Sequence, residues 1–149
     1  MLYTDGACRG NPGPGGWAAI LKHPATGSVK KLSGADPDTT NNRMELTAVI
    51  EGLESLKSGR RVRVHLVSDS QYVLHGLTQW IAAWIRNNWR RGRKATSPPV
   101  KNVDLWQRLH ALTQQHDMTY EFVYGHTGHP ENEACDRLAV AAIDGIANQ

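Results

Sequence analysis

Asp5, Glu45, Asp69 and Asp136 are scattered over a chain of 149 residues, yet each falls at the end or the start of an expected element. Asp5 and Asp69 close two strand-like runs, in "YTDG" and "VSDS". Glu45 falls in the first turns of a helix announced by "TTNN", four residues before Val49. Asp136 lies near the start of the last helix, four residues before Val140 and seven before Ile143. Such spacing sets each helical acid beside an apolar stripe, facing the sheet. If the two strands are adjacent and parallel, four carboxylates converge at one edge of the core. One aspartate at a strand end is more often a turn or cap residue; four at core-flanking positions change that balance. Clustered carboxylates repel, and each one desolvated without a partner is costly. A hard divalent cation answers both problems, and Mg²⁺ takes a few carboxylates, waters and phosphate oxygens. Two such metals about 3.5–4 Å apart would activate an attacking water and stabilise the entering and leaving oxygens of a phosphodiester.

The elements that must carry these acids can be read from hydrophobic period and turn residues. "MLYTDGAC" reads as a short strand running into a turn, followed by strands at "GWAAILKH" and "SVKKLSGA". The cluster "GNPGPGG" and the turn "PATG" separate them. Leu46, Val49, Ile50, Leu53 and Leu56 recur at helical spacing after "TTNN" supplies capping residues. "RVRVHLVSD" alternates Val62, Val64 and Leu66 with Arg63 and His65, a strand with one polar face. Two or three helices are expected through residues 70–115, a last strand at "TYEFVYG", and a closing alanine-rich helix near 131–147. This order predicts an α/β fold: one mixed sheet flanked by helices, in a single domain spanning 1–149.

Charge adds a partner. No acid lies between Asp69 and Asp104, while Arg86, Arg90, Arg91, Arg93, Lys94 and Lys101 all do. That stretch supplies the whole positive excess of a chain whose net charge is +3. A concentrated basic patch is the footprint of a phosphate backbone, with a solvated charge run as the plainer reading. Within it "WIAAWIRNNWRRGRK", residues 80–94, sets three tryptophans beside five cations. Trp84 continues the spacing of Leu77 and Ile81, so part of its surface belongs to the core. Trp89 is expected on the same helix, about half a turn from Trp84, as support for a protrusion.

Other classes fall away. No stretch approaches the length of a membrane span, and "MLYTDGACRG" has neither a basic n-region nor an apolar h-region. A cytoplasmic protein is expected, without a membrane partner. Cys8 and Cys135 are too few for a disulfide framework and lack metal-finger spacing, so both read as free thiols.

Taken together, "YTDGACRGNPGPGG", "TTNNRMEL", "SDSQYV", "QWI", "VKNVDLWQRL" and "GHTGHPENEACDRLA" resemble bacterial type 1 ribonuclease H, in order and over essentially the whole chain. The resemblance implies a five-stranded mixed β-sheet flanked by helices. It implies a monomeric endonuclease that hydrolyses the RNA strand of RNA/DNA hybrids with Mg²⁺, two ions per site with substrate, or Mn²⁺ as substitute. The products would carry 5′-phosphate and 3′-hydroxyl ends.

Carried over position by position, the family's metal-binding acids fall on Asp5, Glu45, Asp69 and Asp136. Its loop histidine, assigned to proton transfer or product release, falls on His126; His129 reads as structural. Asn11, Asn41, Asn42 and Gln71 match polar residues that read the minor groove, where an amide can meet a 2′-hydroxyl. Trp80 and Trp84 match aromatics lining the DNA-strand channel. Arg90, Arg91 and Arg93 belong to a basic protrusion, about residues 84–98, that clamps backbone rather than reading bases. Thr40 and Asn102 match a phosphate pocket for the DNA strand, but Asp38 stands where a basic residue often precedes the threonine by two. The protrusion is a few residues longer than usual, and no hybrid-binding domain is expected before the catalytic one. Two rivals remain in view. A resolvase or exonuclease of the same fold would share the acids but not "GNPGPGG" or "TTNNRMEL". A non-catalytic hybrid-binding module would keep the basic arm and lose the acids.

Overall fold

A computed structural model describes residues 1–56, 59–124 and 129–147 of the chain. In chain order the elements are β1 (Leu2–Cys8), β2 (Gly13–His23), β3 (Ser28–Thr39), α1 (Asn41–Glu54), β4 (Arg63–Ser68) and α2 (Gln71–His75). A π-type turn over Gly76–Trp80 leads into α3 (Ile81–Arg86), and α4 (Val103–Thr113), β5 (Asp117–Phe122) and α5 (Pro130–Ala147) follow. The five strands form one sheet in the order β3-β2-β1-β4-β5. β1, β2 and β3 pair antiparallel, whereas β4 runs parallel to both β1 and β5. The expected mixed sheet is therefore present, with helices on both faces.

Each face is closed by the helix whose apolar stripe the sequence advertises. Leu46, Val49, Ile50 and Leu53 of α1 meet Leu2, Ala19, Val64 and Leu66 of the sheet in the larger core, which also holds Trp106 of α4. On the other face Cys135 and Ala139 of α5 pack on Ala18 and Ile20. Both cysteines are free, and burial pushes the Cys135 thiol up to about 12. Thr40 caps α1, its hydroxyl accepting from the Arg43 amide at 3.3 Å. Such a cap is worth about 1 kcal/mol.

Five expectations need correction. β1 does not end at Asp5 but continues to Cys8, because its antiparallel pairing with β2 runs on to Gly15. β2 begins within the Gly-Pro cluster, at Gly13, and β3 runs on to Thr39. The last strand starts two residues early, at Asp117, whose partner is Arg63. Most consequentially, Trp89 is not on a continued helix. α3 stops at Arg86, and Asn88 and Trp89 adopt φ of 55° and 62°, a left-handed reversal that no helix accommodates. Trp89 nevertheless packs against the core, edge-on to His110, so its supporting position holds.

Candidate active site

The site begins where β1 and β4 part. Their parallel pairing consists of Leu2↔Leu66 and Tyr3↔Val67, and beyond it β1 pairs with β2 alone. Continuing that register places Asp5 opposite Asp69. Asp69 leaves β4 through a turn fixed by its neighbours. The Ser70 amide donates to the Ser68 hydroxyl at 3.0 Å, and the Ser70 hydroxyl caps α2 by accepting from Val73.

Glu45 arrives from above. A Cβ on Gly6 would lie 2.5 Å from the Glu45 nitrogen, so α1 touches β1 at a residue that has to lack a side chain. That contact sets the Glu45 carboxylate beside Asp5. One carboxylate oxygen from each of Asp5, Glu45 and Asp69 lies within 4.8 Å of the other two. Asp136, in the second turn of α5, lines the same cleft but is not in this tight set.

The electrostatics follow from the crowding. Burial, then the charges of Asp69 and Asp136, push the Asp5 carboxyl up to about 7. Glu45, only 4% exposed, is held well above the usual carboxylate range by burial and by Asp5 and Asp69. Its Oε2 is buried without any hydrogen-bond partner. An orphaned hard oxygen among crowded carboxylates that resist ionising together is the donor set a divalent cation suits. The residues fit such an ion.

Around the acids lies an open cleft of about 480 Å³, lined also by Asn41, Asn42, Gln71 and Tyr72. Three of the four amides expected to read the minor groove are thus brought to the carboxylates. The fourth, Asn11, supports them, its Oδ1 accepting from the Asn41 amide at 2.9 Å. A second depression, about 350 Å³, is lined by Tyr72, Trp80, Trp84, Arg91, Val100 and Lys101. Trp80 is 39% exposed and Trp84 lies behind it, centroids 6.0 Å apart, with Trp106 behind both. The missing side chain at Gly76 makes this possible: a Cβ there would lie 2.0 Å from the Trp106 ring. A larger cavity, about 540 Å³, opens at the opposite end of the sheet around Leu21, Leu56 and Val64, and among the described residues no carboxylate lines it.

The protrusion is a closed loop. The Arg91 amide donates to Pro98 O at 2.9 Å, Val100 to Trp89 O at 3.0 Å, and the Arg90 guanidinium to Ser97 O at 3.0 Å. Arg90 therefore staples the loop, whereas Arg91 and Arg93 stand exposed. Asn102 has a left-handed backbone, and its amide is engaged on both sides. Oδ1 accepts from Arg43 at 3.3 Å and Nδ2 donates to the Tyr72 hydroxyl at 3.0 Å. Thr40 is committed to the α1 cap as described above. His126 lies outside the described residues. Sequence reasoning missed Tyr72, which lines both depressions, and Arg43, whose guanidinium joins Asn102 to Asp104. The available signal was weak: Tyr72 stands eight residues before Trp80, two helical turns, inside a motif quoted for Gln71.

The family model for ribonuclease H matches residues 1–144. The chain belongs to the ribonuclease H family. It is 57% identical to a ribonuclease H of Hydrogenovibrio crunogenus over 143 residues, covering 96% of this chain and 94% of that one. A ribonuclease H of Alcanivorax borkumensis is 54% identical, over 97% and 91% of the two chains. Among solved structures, LC9-RNase H1, a type 1 RNase H with the type 2 active-site motif, superposes with a TM-score of 0.82 at 34% identity, covering 97% of this chain and 71% of that one. LC11-RNase H1 in complex with RNA/DNA hybrid shares the fold, with a TM-score of 0.74 at 20% identity over 98% and 97% of the two chains. These likenesses bear out the resemblance to bacterial type 1 ribonuclease H, and with it an endoribonuclease.

Proposed function

We propose that this ribonuclease H hydrolyses the RNA strand of RNA/DNA hybrids at the carboxylate cleft, leaving 5′-phosphate and 3′-hydroxyl ends. The observation that carries the reading is the mutual approach of Asp5, Glu45 and Asp69 within 4.8 Å, in a cleft walled by amides. Asp5, Glu45 and Asp69, with Asp136 completing the set, would hold Mg²⁺, two ions when substrate is present, with Mn²⁺ as a substitute. The bound metal supplies a water of lowered pKa and neutralises charge on the scissile phosphate.

The chain's own groups do the positioning. Asn41, Asn42 and Gln71 offer amide donors and acceptors along the cleft, suited to the 2′-hydroxyls that separate RNA from DNA. Trp80, half out of its wall, offers a flat apolar face that a deoxyribose can cover and a ribose, with its extra hydroxyl, covers less well. Arg91 and Lys101 flank that trough, and Arg93 extends the positive charge outward along the protrusion. Arg90 acts mainly by holding the loop that presents them. Thr40 and Asn102 would face a DNA phosphate beside Arg43, whose guanidinium already bonds Asn102 and Asp104. His126 would move a proton or assist product release. Among the described residues no helix is long and apolar enough to cross a membrane. In our reading the chain is a single-domain, monomeric enzyme of the cytoplasm.

The test is a labelled RNA/DNA hybrid beside single-stranded RNA, duplex RNA and duplex DNA, each with Mg²⁺ and with chelator. Cleavage confined to the RNA strand of the hybrid, and abolished by chelator, is expected. Equal cutting of duplex RNA would remove the proposed reading of the two strands.

A further inference from the structure

Outside the trough, two large aromatic side chains stand exposed among the described residues. Phe122, the last residue of β5, is 36% exposed, and Tyr124, two residues on, is 80% exposed. Their rings meet edge to face, with centroids 5.1 Å apart and planes at 83°. Between them Val123 is buried, and its amide donates to Ser68 O at 3.0 Å. The backbone is therefore pinned, and alternation along an extended chain sends both rings to the same side.

Their place in the sheet gives the pair meaning. Phe122 pairs with Ser68, the residue immediately before Asp69. The rings thus stand at the sheet edge that delivers Asp5 and Asp69, one strand further out, where neighbouring strands are about 4.8 Å apart. The nearest acid in sequence, Glu121, points to the other face and is tied to His65 at 2.8 Å. What these two side chains offer is an aromatic surface at the end of the sheet that carries the nuclease cleft. Phosphate calls for cations, whereas a base or a sugar calls for a flat ring, which Phe122 and Tyr124 supply.

We propose that Phe122 and Tyr124 form an outer platform on which one nucleotide of the hybrid, beyond the cleavage site, packs its base or sugar. The proposal rests on the hybrid reading of the cleft. A duplex seated on the trough and crossing Asp5 and Asp69 continues over the end of β5, so the platform prolongs the same surface. Packing on an aromatic face tolerates any base, so the platform adds reach and not sequence preference.

Binding can be measured in an Asp69→Asn parent, which holds hybrid without consuming it. The ligands are one long hybrid and a series trimmed stepwise from either end. Tyr124→Ala in that parent is expected to bind the long hybrid about five- to tenfold more weakly, within what one stacked nucleotide contributes. The difference is expected to vanish once trimming from one end passes the platform, and Tyr124→Phe, which keeps the ring, to match the parent throughout. Equal affinity of Tyr124→Ala and parent at every length would overturn the platform. So would a uniform loss at every length, which would assign the ring to support of the chain that follows or to docking of something other than the hybrid. A parent that binds no hybrid at all refutes the hybrid reading itself, a failure separable from that of the platform alone.

Discussion

Asp5 and Asp69 occupy the same register on neighbouring parallel strands, two positions past the last backbone pair that joins those strands. The gap left there lets two carboxylates face each other, and the crossing of α1 over Gly6 adds Glu45 from a third direction. Three distant stretches of chain meet because backbone contacts, not flexible side chains, bring them together.

Asp5→Asn and Asp69→Asn are each expected to lower hybrid cleavage by several orders of magnitude while circular dichroism stays that of the parent. Near-full activity in both variants would refute the metal-holding role of these acids.

Stability without metal should fall as pH rises from about 4 to about 7. The Asp5 carboxyl is raised to about 7 in the folded chain from an ordinary value of 3.8. The folded state therefore keeps a proton that the unfolded chain has already released, and the sign of the linkage is loss of stability with rising pH. A shift of this size corresponds to at most about 4 kcal/mol, since each unit is worth about 1.36 kcal/mol. Asp5→Asn should flatten that decline, as should saturating Mg²⁺, which favours the ionised cluster. Thermal melts in chelator and in Mg²⁺ across this range read both effects. A wild-type melting temperature that is flat or rising in chelator over the same range would contradict the crowding argument.

Arginines of the protrusion should divide into two kinds. Arg91→Ala with Arg93→Ala removes up to two phosphate contacts and should flatten the slope of log affinity against log salt by up to about 1.8 units, at about 0.9 per contact. Turnover at saturating hybrid should hold, with the defect in KM. Arg90→Ala should instead loosen the loop, detected as faster proteolysis within residues 91–98, because its guanidinium holds Ser97 O. A salt series that gives all three single variants the same slope change and the same proteolytic resistance would erase the distinction.

Trp80→Ala should weaken hybrid binding with the salt slope nearly unchanged, because ring packing displaces no counterions. The ring's contacts with Tyr72, His75 and Trp84 make some local loosening expected, so Trp80→Phe serves as the companion. Recovery of affinity by phenylalanine assigns the effect to the aromatic face; a slope change in either variant would point to displaced cations instead.

Much of the fold was legible because hydrophobic period is a local property. Alternation along Val62, Val64 and Leu66 and the stripe from Leu46 to Leu53 were read as a strand and a helix, and both are present. The approach of Asp5, Glu45 and Asp69 was legible on the condition that their strands lie side by side and parallel, which they do. Depth was not legible. Helical spacing told which way Asp136 faces but not how far it reaches, and it lines the cleft without joining the tight set. Nor could the reversal at Asn88 and Trp89 be foreseen, since tryptophan has no preference for a left-handed backbone and its packing partner His110 is remote in sequence. Tyr72 went unassigned because its importance lies in what the start of α4, some thirty residues away, brings to its hydroxyl, Asn102 at 3.0 Å and Trp106 at 2.9 Å.

That shared tyrosine has a geometric corollary. A wall common to the carboxylate cleft and the tryptophan trough makes the spacing between them a fixed length, like the jaws of a caliper set once. In the proposed reading one jaw takes the ribose strand and the other the deoxyribose strand, so groove width is gauged as well as sugar chemistry. A duplex whose backbones stand too far apart or too close could satisfy either jaw but not both. Discrimination then comes from span, at positions where the protein touches no base.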